Sequence, residues 1–146
     1  MVNRPIINRL LGNLEGYVTD LRTAVDITRE KYREDIRSQR FVERTLHILI
    51  ECCFDVVHHI ISDEGLRTPI SYADAFTVLE ERGIIPWESV PEYQMMAQFR
   101  NKIVHFYEKI DPEMVYGIFR NKLDAFERFG VEIQNFLKHR TGGANE

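Results

Sequence analysis

Residues 40–61 read RFVERTLHILIECCFDVVHHII. Apolar side chains recur through this stretch at helical spacing, at Phe41, Val42, Leu46, Leu49, Cys53, Val56, Val57, Ile60 and Ile61. A period of about 3.6 residues places such positions on one face of an α-helix. Together with the charge-dense residues 28–40 before it, the stretch predicts one very long helix, ended by Gly65 and Pro69, that forms the spine of the fold.

Length and composition indicate a compact helical domain. The chain has 146 residues, of which 44% are hydrophobic and 29% charged, so it is not intrinsically disordered and has enough apolar residues for one core. Residues 17–64 contain neither glycine nor proline. An all-β domain, which needs a turn about every 8–12 residues, is therefore excluded.

Two shorter helices flank the predicted spine. Apolar residues repeat with helical period over residues 5–26, which predicts an amphipathic helix before the spine. After the spine, Ser71 and Asp74 have the spacing of a capping box. Gly83 then ends a short third helix.

The second half of the chain predicts two more helices. The fourth begins between residues 87 and 92 and ends before Asp111, because the residue that precedes a proline is pushed out of the α region. The fifth covers residues 112–139, with Asp111 as its N-cap. Gly117 and Gly130 are its expected kinks or close-packing points.

These helices predict an all-α fold, an up-and-down bundle of four to five helices with short connections. Residues 1–140 form the single domain in this prediction. Residues 141–146 form a flexible C-terminal tail.

Charge and cysteine content limit the classes of partner. The formal net charge is −4, from 19 Lys and Arg against 23 Asp and Glu, so no global basic field attracts nucleic acid or an anionic membrane. The two cysteines, Cys52 and Cys53, are adjacent and give no disulfide framework, which indicates a reducing compartment. Because no signal peptide or membrane span is apparent, we expect a soluble cytoplasmic protein without a membrane partner.

A polar stripe on the spine is the first candidate for a chemical site. It consists of His47, Glu51, Asp55 and His59, and neighbours four positions apart lie within about 40° of each other around a helix. Two of them could chelate a metal, but a closed site needs three or four ligands, and no second helix repeats the pattern. We interpret the stripe as a solvated or hydrogen-bonded face and predict no metal and no cofactor.

Residues 100–107, RNKIVHFY, form the second candidate. Arg100 is a fixed cation, and histidine, here His105, titrates near neutral pH. Cleavage of RNA through the ribose 2′-OH needs a base, an acid and a cation for the charge on phosphorus, and it needs no metal. Five helical residues span about 500°, so Arg100 and His105 would lie about 140° apart and flank a cleft. If the helix continued ideally, Tyr107 would lie about 20° from the face of Arg100.

The motif resembles the signature of HEPN domains, specifically of the HepT-like ribonuclease toxins. The matching pattern is Arg-x4-His with Asn101 directly after the arginine and Tyr107 completing His-x-Tyr. Residues 40–46, 71–76 and 110–119 resemble further helices of that family. The resemblance covers residues 5–138.

The resemblance implies an all-α homodimer in which two Arg-x4-His motifs face one cleft. It also implies a metal-independent endoribonuclease toxin, with Arg100 and His105 as the catalytic pair and Asn101 as a polar neighbour. The toxin's partner would be a minimal nucleotidyltransferase antitoxin, as in type VII-like toxin–antitoxin pairs, which silences it by adding AMP to Tyr107. An adjacent reading frame with a Gly-Ser…Asp-x-Asp signature would identify that antitoxin.

Two alternatives remain open on the sequence. The chain could be a non-catalytic HEPN module that binds a nucleotidyltransferase or a nucleotide, or a structural bundle without a ligand. Local charge favours the RNA substrate: residues 28–47 have six Lys and Arg against four acids, and residues 99–122 have five against three. Such a surface orients a phosphate but binds long RNA weakly and in a salt-sensitive manner.

Overall fold

The computed structural model describes the backbone of residues 2–145 and the side chains of residues 2–140. Every secondary-structure element in that part of the chain is a helix, so the predicted all-α fold is confirmed. The α-helices are α1 (Arg4–Thr23), α2 (Arg29–Glu34), α3 (Ile36–Asp63), α4 (Tyr72–Glu81), α5 (Val90–His105), α6 (Pro112–Asn121) and α7 (Leu123–Asn145). Single 3-10 turns at Trp87–Ser89 and Tyr107–Lys109 flank α5.

Helix α3 is the predicted spine, and it contacts α1, α2, α4, α5 and α6. Its apolar face is fully enclosed: Val42, Leu46, Leu49, Val56 and Ile60 have no exposed surface. By length and composition α3 could also cross a membrane, but 61% of that apolar window is buried inside the bundle. Burial of this kind is typical of a core helix.

The spine begins later than the sequence predicts. The expected single helix from residue 28 breaks at Asp35, whose backbone is extended, with φ −110° and ψ 109°. The Asp35 carboxylate accepts hydrogen bonds from the backbone N–H of Arg37 at 3.2 Å and from the hydroxyl of Ser38 at 2.7 Å. It caps α3 in this way, because an aspartate side chain that bonds nearby donors favours a helix start over a helix interior.

The expected fifth helix is also broken, at Lys122 (φ −118°, ψ 8°) and not at Gly117 or Gly130. The break lets the apolar faces of α6 and α7 both reach the core, where Phe119 and Phe126 are each 2% exposed. Gly130 instead faces α1, since a Cβ there would lie 3.8 Å from Leu14 Cδ2.

N-capping residues begin helices, and glycines follow the ends of helices, largely where the sequence predicts. The Ser71 hydroxyl accepts from the N–H of Asp74, and the Asp111 carboxylate accepts from the N–H of Glu113. Gly65 and Gly83 follow α3 and α4 with positive φ values of 63° and 71°, a conformation that glycine adopts without steric cost.

The C-terminal helix extends beyond the predicted end at residue 139, since α7 is helical to Asn145. The side chains of residues 141–145, and Glu146 as a whole, lie outside the described residues. The flexible tail at residues 141–146 stays a prediction.

Cys52 and Cys53 are buried, free thiols on α3. The Cys52 thiol donates to the carbonyl of Leu10 at 3.1 Å, and burial raises its pKa to about 11. Burial raises the pKa of Cys53 as well. Both thiols therefore remain protonated near neutral pH and pack as small apolar groups.

Candidate active site at the end of helix α5

Helix α5 carries Arg100, Asn101 and His105, and it ends at His105. Phe106 leaves the helix with φ −136° and ψ 41°, although its N–H still donates to the carbonyl of Lys102 at 2.9 Å. The predicted end before Asp111 is confirmed. The helix does not continue to Tyr107, which lies in the following 3-10 turn, so the ideal-helix placement of Tyr107 on the face of Arg100 is wrong.

Arg100 is held in a fixed orientation by two neighbouring helices. Its Nε donates to Glu51 Oε1 of α3 at 2.8 Å, and its guanidinium carbon lies 4.0 Å from the centre of the Tyr72 ring of α4. Its side chain is 15% exposed. Within residues 2–140, Nη2 of Arg100 forms no hydrogen bond, so this edge of the guanidinium is left for an anionic ligand.

Glu51 joins two residues at the site. Besides Arg100, the Glu51 Oε1 atom lies 3.5 Å from Nε2 of His47, one turn earlier on α3. Part of the polar stripe thus positions the motif arginine, a role the sequence analysis missed for Glu51 and Tyr72. In the described part of the chain, no group of three or more His, Cys, Asp or Glu side chains is arranged to hold a metal.

His105 is exposed at the C-terminal end of α5 and packs edge-to-face on Phe106, with ring centres 6.4 Å apart. Among the described residues its imidazole forms no hydrogen bond or ion pair, so both ring nitrogens are open to a ligand. No hydrogen bond, ion pair or ring contact joins His105 to Arg100 in the described part of the chain. One protomer therefore presents the two groups separately, as the helical spacing predicts.

Tyr107 forms a second cluster with α3. Its hydroxyl donates to Glu43 Oε2 at 2.9 Å, and the guanidinium carbon of Arg40 lies 5.8 Å from the centre of its ring. Arg40 Nη1 also lies 3.4 Å from Glu43 Oε2. The hydrogen bond to Glu43 raises the pKa of Tyr107, so the phenol is protonated at neutral pH. Sequence analysis missed both partners of this tyrosine.

The local positive charge near the motif is partly neutralised by ion pairs. Arg29 and Arg33 of α2 both pair with Glu113 of α6. In contrast, Arg37 and Arg44 of α3 are exposed and form no ion pair within residues 2–140. Residues 28–47 therefore keep unpaired positive charge at the surface, which suits weak, salt-sensitive contacts with phosphates.

Comparison with known proteins places the chain in a family. The sequence matches the family described as ribonuclease HepT-like over residues 14–133. It is 28% identical over 99 residues to the mRNA nuclease HepT of Shewanella oneidensis, an overlap of 68% of this chain and 74% of the relative. It is 26% identical over 134 residues to the tRNA nuclease HepT of Aphanizomenon flos-aquae, with 90% of each chain covered.

Solved structures show the same fold. A cytosolic protein of unknown function, YutE of Bacillus subtilis, superposes with a TM-score of 0.82 at 23% identity, covering 97% of this chain and 94% of that one. A tri-AMPylated Shewanella oneidensis HEPN toxin in complex with MNT antitoxin superposes with a TM-score of 0.81 at 24% identity, covering 92% and 99%. The chain belongs to the HepT-like ribonuclease family, and its enzyme class, an endoribonuclease, is the one predicted from the sequence.

Proposed function

We propose that this HepT-like protein is a metal-independent endoribonuclease toxin in which Arg100 and His105 cleave RNA through attack by the ribose 2′-OH. The observation that carries the proposal is the contrast between the two side chains on α5. Arg100 is fixed by Glu51 and Tyr72 with one edge unused, whereas the His105 imidazole is exposed and without a protein partner. The reaction requires a fixed cation and an open acid–base group, and these two side chains have those properties.

Each group has a defined step in the reaction. His105 takes the proton of the 2′-hydroxyl as its oxygen attacks phosphorus. Arg100 stabilises the negative charge that develops on the phosphate oxygens. The bond to the 5′-oxygen then breaks, that oxygen takes the proton that the His105 imidazole has accepted, and a 2′,3′-cyclic phosphate remains on the other fragment.

The proposal includes a homodimer, because one α5 cannot aim both groups at one phosphate, whereas an isologous pair can. The surface next to His105 supports this assembly. Val104 is 43% exposed and Phe106 is 56% exposed, so apolar side chains flank the histidine on both sides in sequence. Contact between two copies would cover these side chains and bring Arg100 of one protomer toward His105 of the other.

Regulation by an antitoxin completes the proposal. The structural relative described above is tri-AMPylated and bound to MNT antitoxin. In this chain Tyr107 occupies the His-x-Tyr position and is 47% exposed. We therefore assign the cognate partner as a minimal nucleotidyltransferase, the modified residue as Tyr107, and the compartment as the cytoplasm.

Cleavage of a single-stranded RNA in excess EDTA tests the proposed chemistry. Purified protein is expected to cut the RNA and to leave 2′,3′-cyclic phosphate ends, since the site offers acid–base and cationic groups. Cleavage should weaken as salt rises, because the contacts that hold the substrate are ionic contacts with phosphates, which salt screens. Loss of cutting in EDTA that returns with Mg²⁺ would contradict the metal-independent mechanism. A folded protein without any cutting would favour a non-catalytic HEPN module.

A further inference from the structure

We infer that Glu43 accepts the phenol proton of Tyr107 while AMP is transferred to that tyrosine, so that the toxin itself supplies the base for its own modification. The inference rests on the proposed function, in which a nucleotidyltransferase partner delivers AMP from ATP. It adds a role for the toxin's own residues in that transfer.

The geometry brings the two groups together across the fold. Glu43 lies in the second turn of α3 and Tyr107 in the 3-10 turn after α5, separated by 64 residues in sequence. The Tyr107 hydroxyl donates to Glu43 Oε2 at 2.9 Å. The Glu43 side chain is 15% exposed, whereas Tyr107 is 47% exposed. A reagent can therefore approach the phenol from solvent while the carboxylate holds it from the protein side.

The chemistry of the transfer requires such a base. A tyrosine phenol, with an ordinary pKa near 10, is a weak nucleophile while it keeps its proton. In the transfer, Tyr107 Oη forms a bond to the α-phosphorus of ATP, the bond from that phosphorus to the bridging oxygen of the β-phosphate breaks, and pyrophosphate leaves. The phenol proton moves to the Glu43 carboxylate, which already accepts its hydrogen bond.

The groups around Glu43 support this role. Arg40, one turn earlier on α3, lies 3.4 Å from the Glu43 carboxylate and places a positive charge beside it. The Arg40 guanidinium also lies 5.8 Å from the Tyr107 ring, close to where the new phosphodiester anion would form. Tyr32 of α2 lies next to the cluster of Arg40, Glu43 and Tyr107 on its buried side. Tyr32 is 1% exposed, and its hydroxyl has no hydrogen-bond partner among the described residues.

A purely electrostatic role for Glu43 predicts the opposite result. The hydrogen bond from Tyr107 to Glu43 raises the pKa of the phenol, so removing the carboxylate charge lowers that pKa toward its ordinary value. Phenolate would then form more easily. If Glu43 only opposed ionisation, its neutralisation would speed the transfer, whereas loss of a base slows it.

The test measures AMP transfer to the full-length protein by a minimal nucleotidyltransferase with Mg²⁺ and ATP. The initial rate at saturating nucleotidyltransferase is followed by intact mass and peptide mapping across pH, for wild type, Glu43→Gln and Glu108→Gln. Glutamine still accepts the phenol hydrogen bond but cannot take the proton. Glu108 is the matched control, since it is the exposed neighbour of Tyr107 and forms no ion pair or side-chain hydrogen bond within residues 2–140.

Glu43→Gln is expected to slow AMP transfer to Tyr107 by about 10²-fold at neutral pH. The deficit should shrink as the pH rises toward the pKa of the phenol, because hydroxide then supplies the phenolate. Glu108→Gln should react like wild type. Circular dichroism checks folding, and if Glu43→Gln is not folded, the shorter base in Glu43→Asp is expected to give an intermediate rate.

The outcomes separate the inference from the function on which it rests. If wild type receives AMP at Tyr107 and Glu43→Gln receives it at an equal or faster rate, the inference is overturned but the proposed function is not. A similar loss in Glu108→Gln also overturns it, because the effect would then follow from the charge of the turn. Wild type that receives no AMP at Tyr107 overturns the proposed regulation and the inference together.

Discussion

Replacing His105 by alanine is expected to lower the rate of RNA cleavage in EDTA by at least about 10²-fold, because the variant loses the group that moves protons in the reaction. His105 is exposed and makes no hydrogen bond among the described residues, so its removal leaves no buried polar group without a partner. The fold should therefore survive the substitution. The rate is measured with saturating protein over a single turnover, which separates chemistry from RNA binding.

His139→Ala is the matched control for that experiment. His139 is also an exposed helical histidine, but it lies on α7 and its Nδ1 is 2.7 Å from the carbonyl of Asn135 in its own helix. Its substitution is expected to leave the cleavage rate at the level of wild type. Equal cleavage by folded His105→Ala and wild type would place the activity elsewhere in the protein or in a contaminant.

Attachment of AMP to Tyr107 is expected to abolish RNA cleavage. Tyr107 lies two residues after His105, outside the helix and next to Arg40. An attached AMP adds a negative charge that pairs with Arg40 by charge-assisted hydrogen bonds, and its adenosine covers the entrance beside His105. Incubation with the nucleotidyltransferase and ATP should raise the intact mass by one or more AMP units, mapped to Tyr107, while cleavage disappears.

Tyr107→Phe removes the acceptor oxygen and should escape this silencing while remaining folded, since the lost hydrogen bond to Glu43 lies at the surface. Tyr17→Phe, on α1, is the control that should still be silenced. A neutralised complex in which Tyr107 carries no AMP would mean that the antitoxin inhibits by covering the site.

The sequence predicts most of the fold because local signals dominate it. The apolar period of α3 and the caps at Ser71 and Asp111 depend on residues close together in the chain. The breaks at Asp35 and Lys122 were missed because neither residue is a glycine or a proline, the residue types that most clearly mark the end of a helix in a sequence. At Lys122, the packing of α6 and α7 shows that one straight helix would leave the apolar face of one of them outside the core.

The site is less predictable because its partners come from other helices. Arg100 and His105 stand out by type and spacing, but Arg100 and Glu51 are 49 residues apart, and Tyr107 and Glu43 are 64 apart. Helical periodicity predicts the face of α3 that carries each of Glu43 and Glu51. It does not predict which helix packs against that face, so the partners of Arg100 and Tyr107 can be identified only from the folded structure.

A mixed dimer tests the composite site most directly. Arg100→Ala and His105→Ala protomers, each expected to be at least about 10²-fold slower alone, are co-expressed with different tags and the mixed dimer is purified through both. If Arg100 of one protomer works with His105 of the other, one of the two sites is complete, and the mixed dimer should recover about half of the wild-type rate. A mixed dimer as slow as its parents, or a wild-type protein that is monomeric at micromolar concentration, would contradict the composite site.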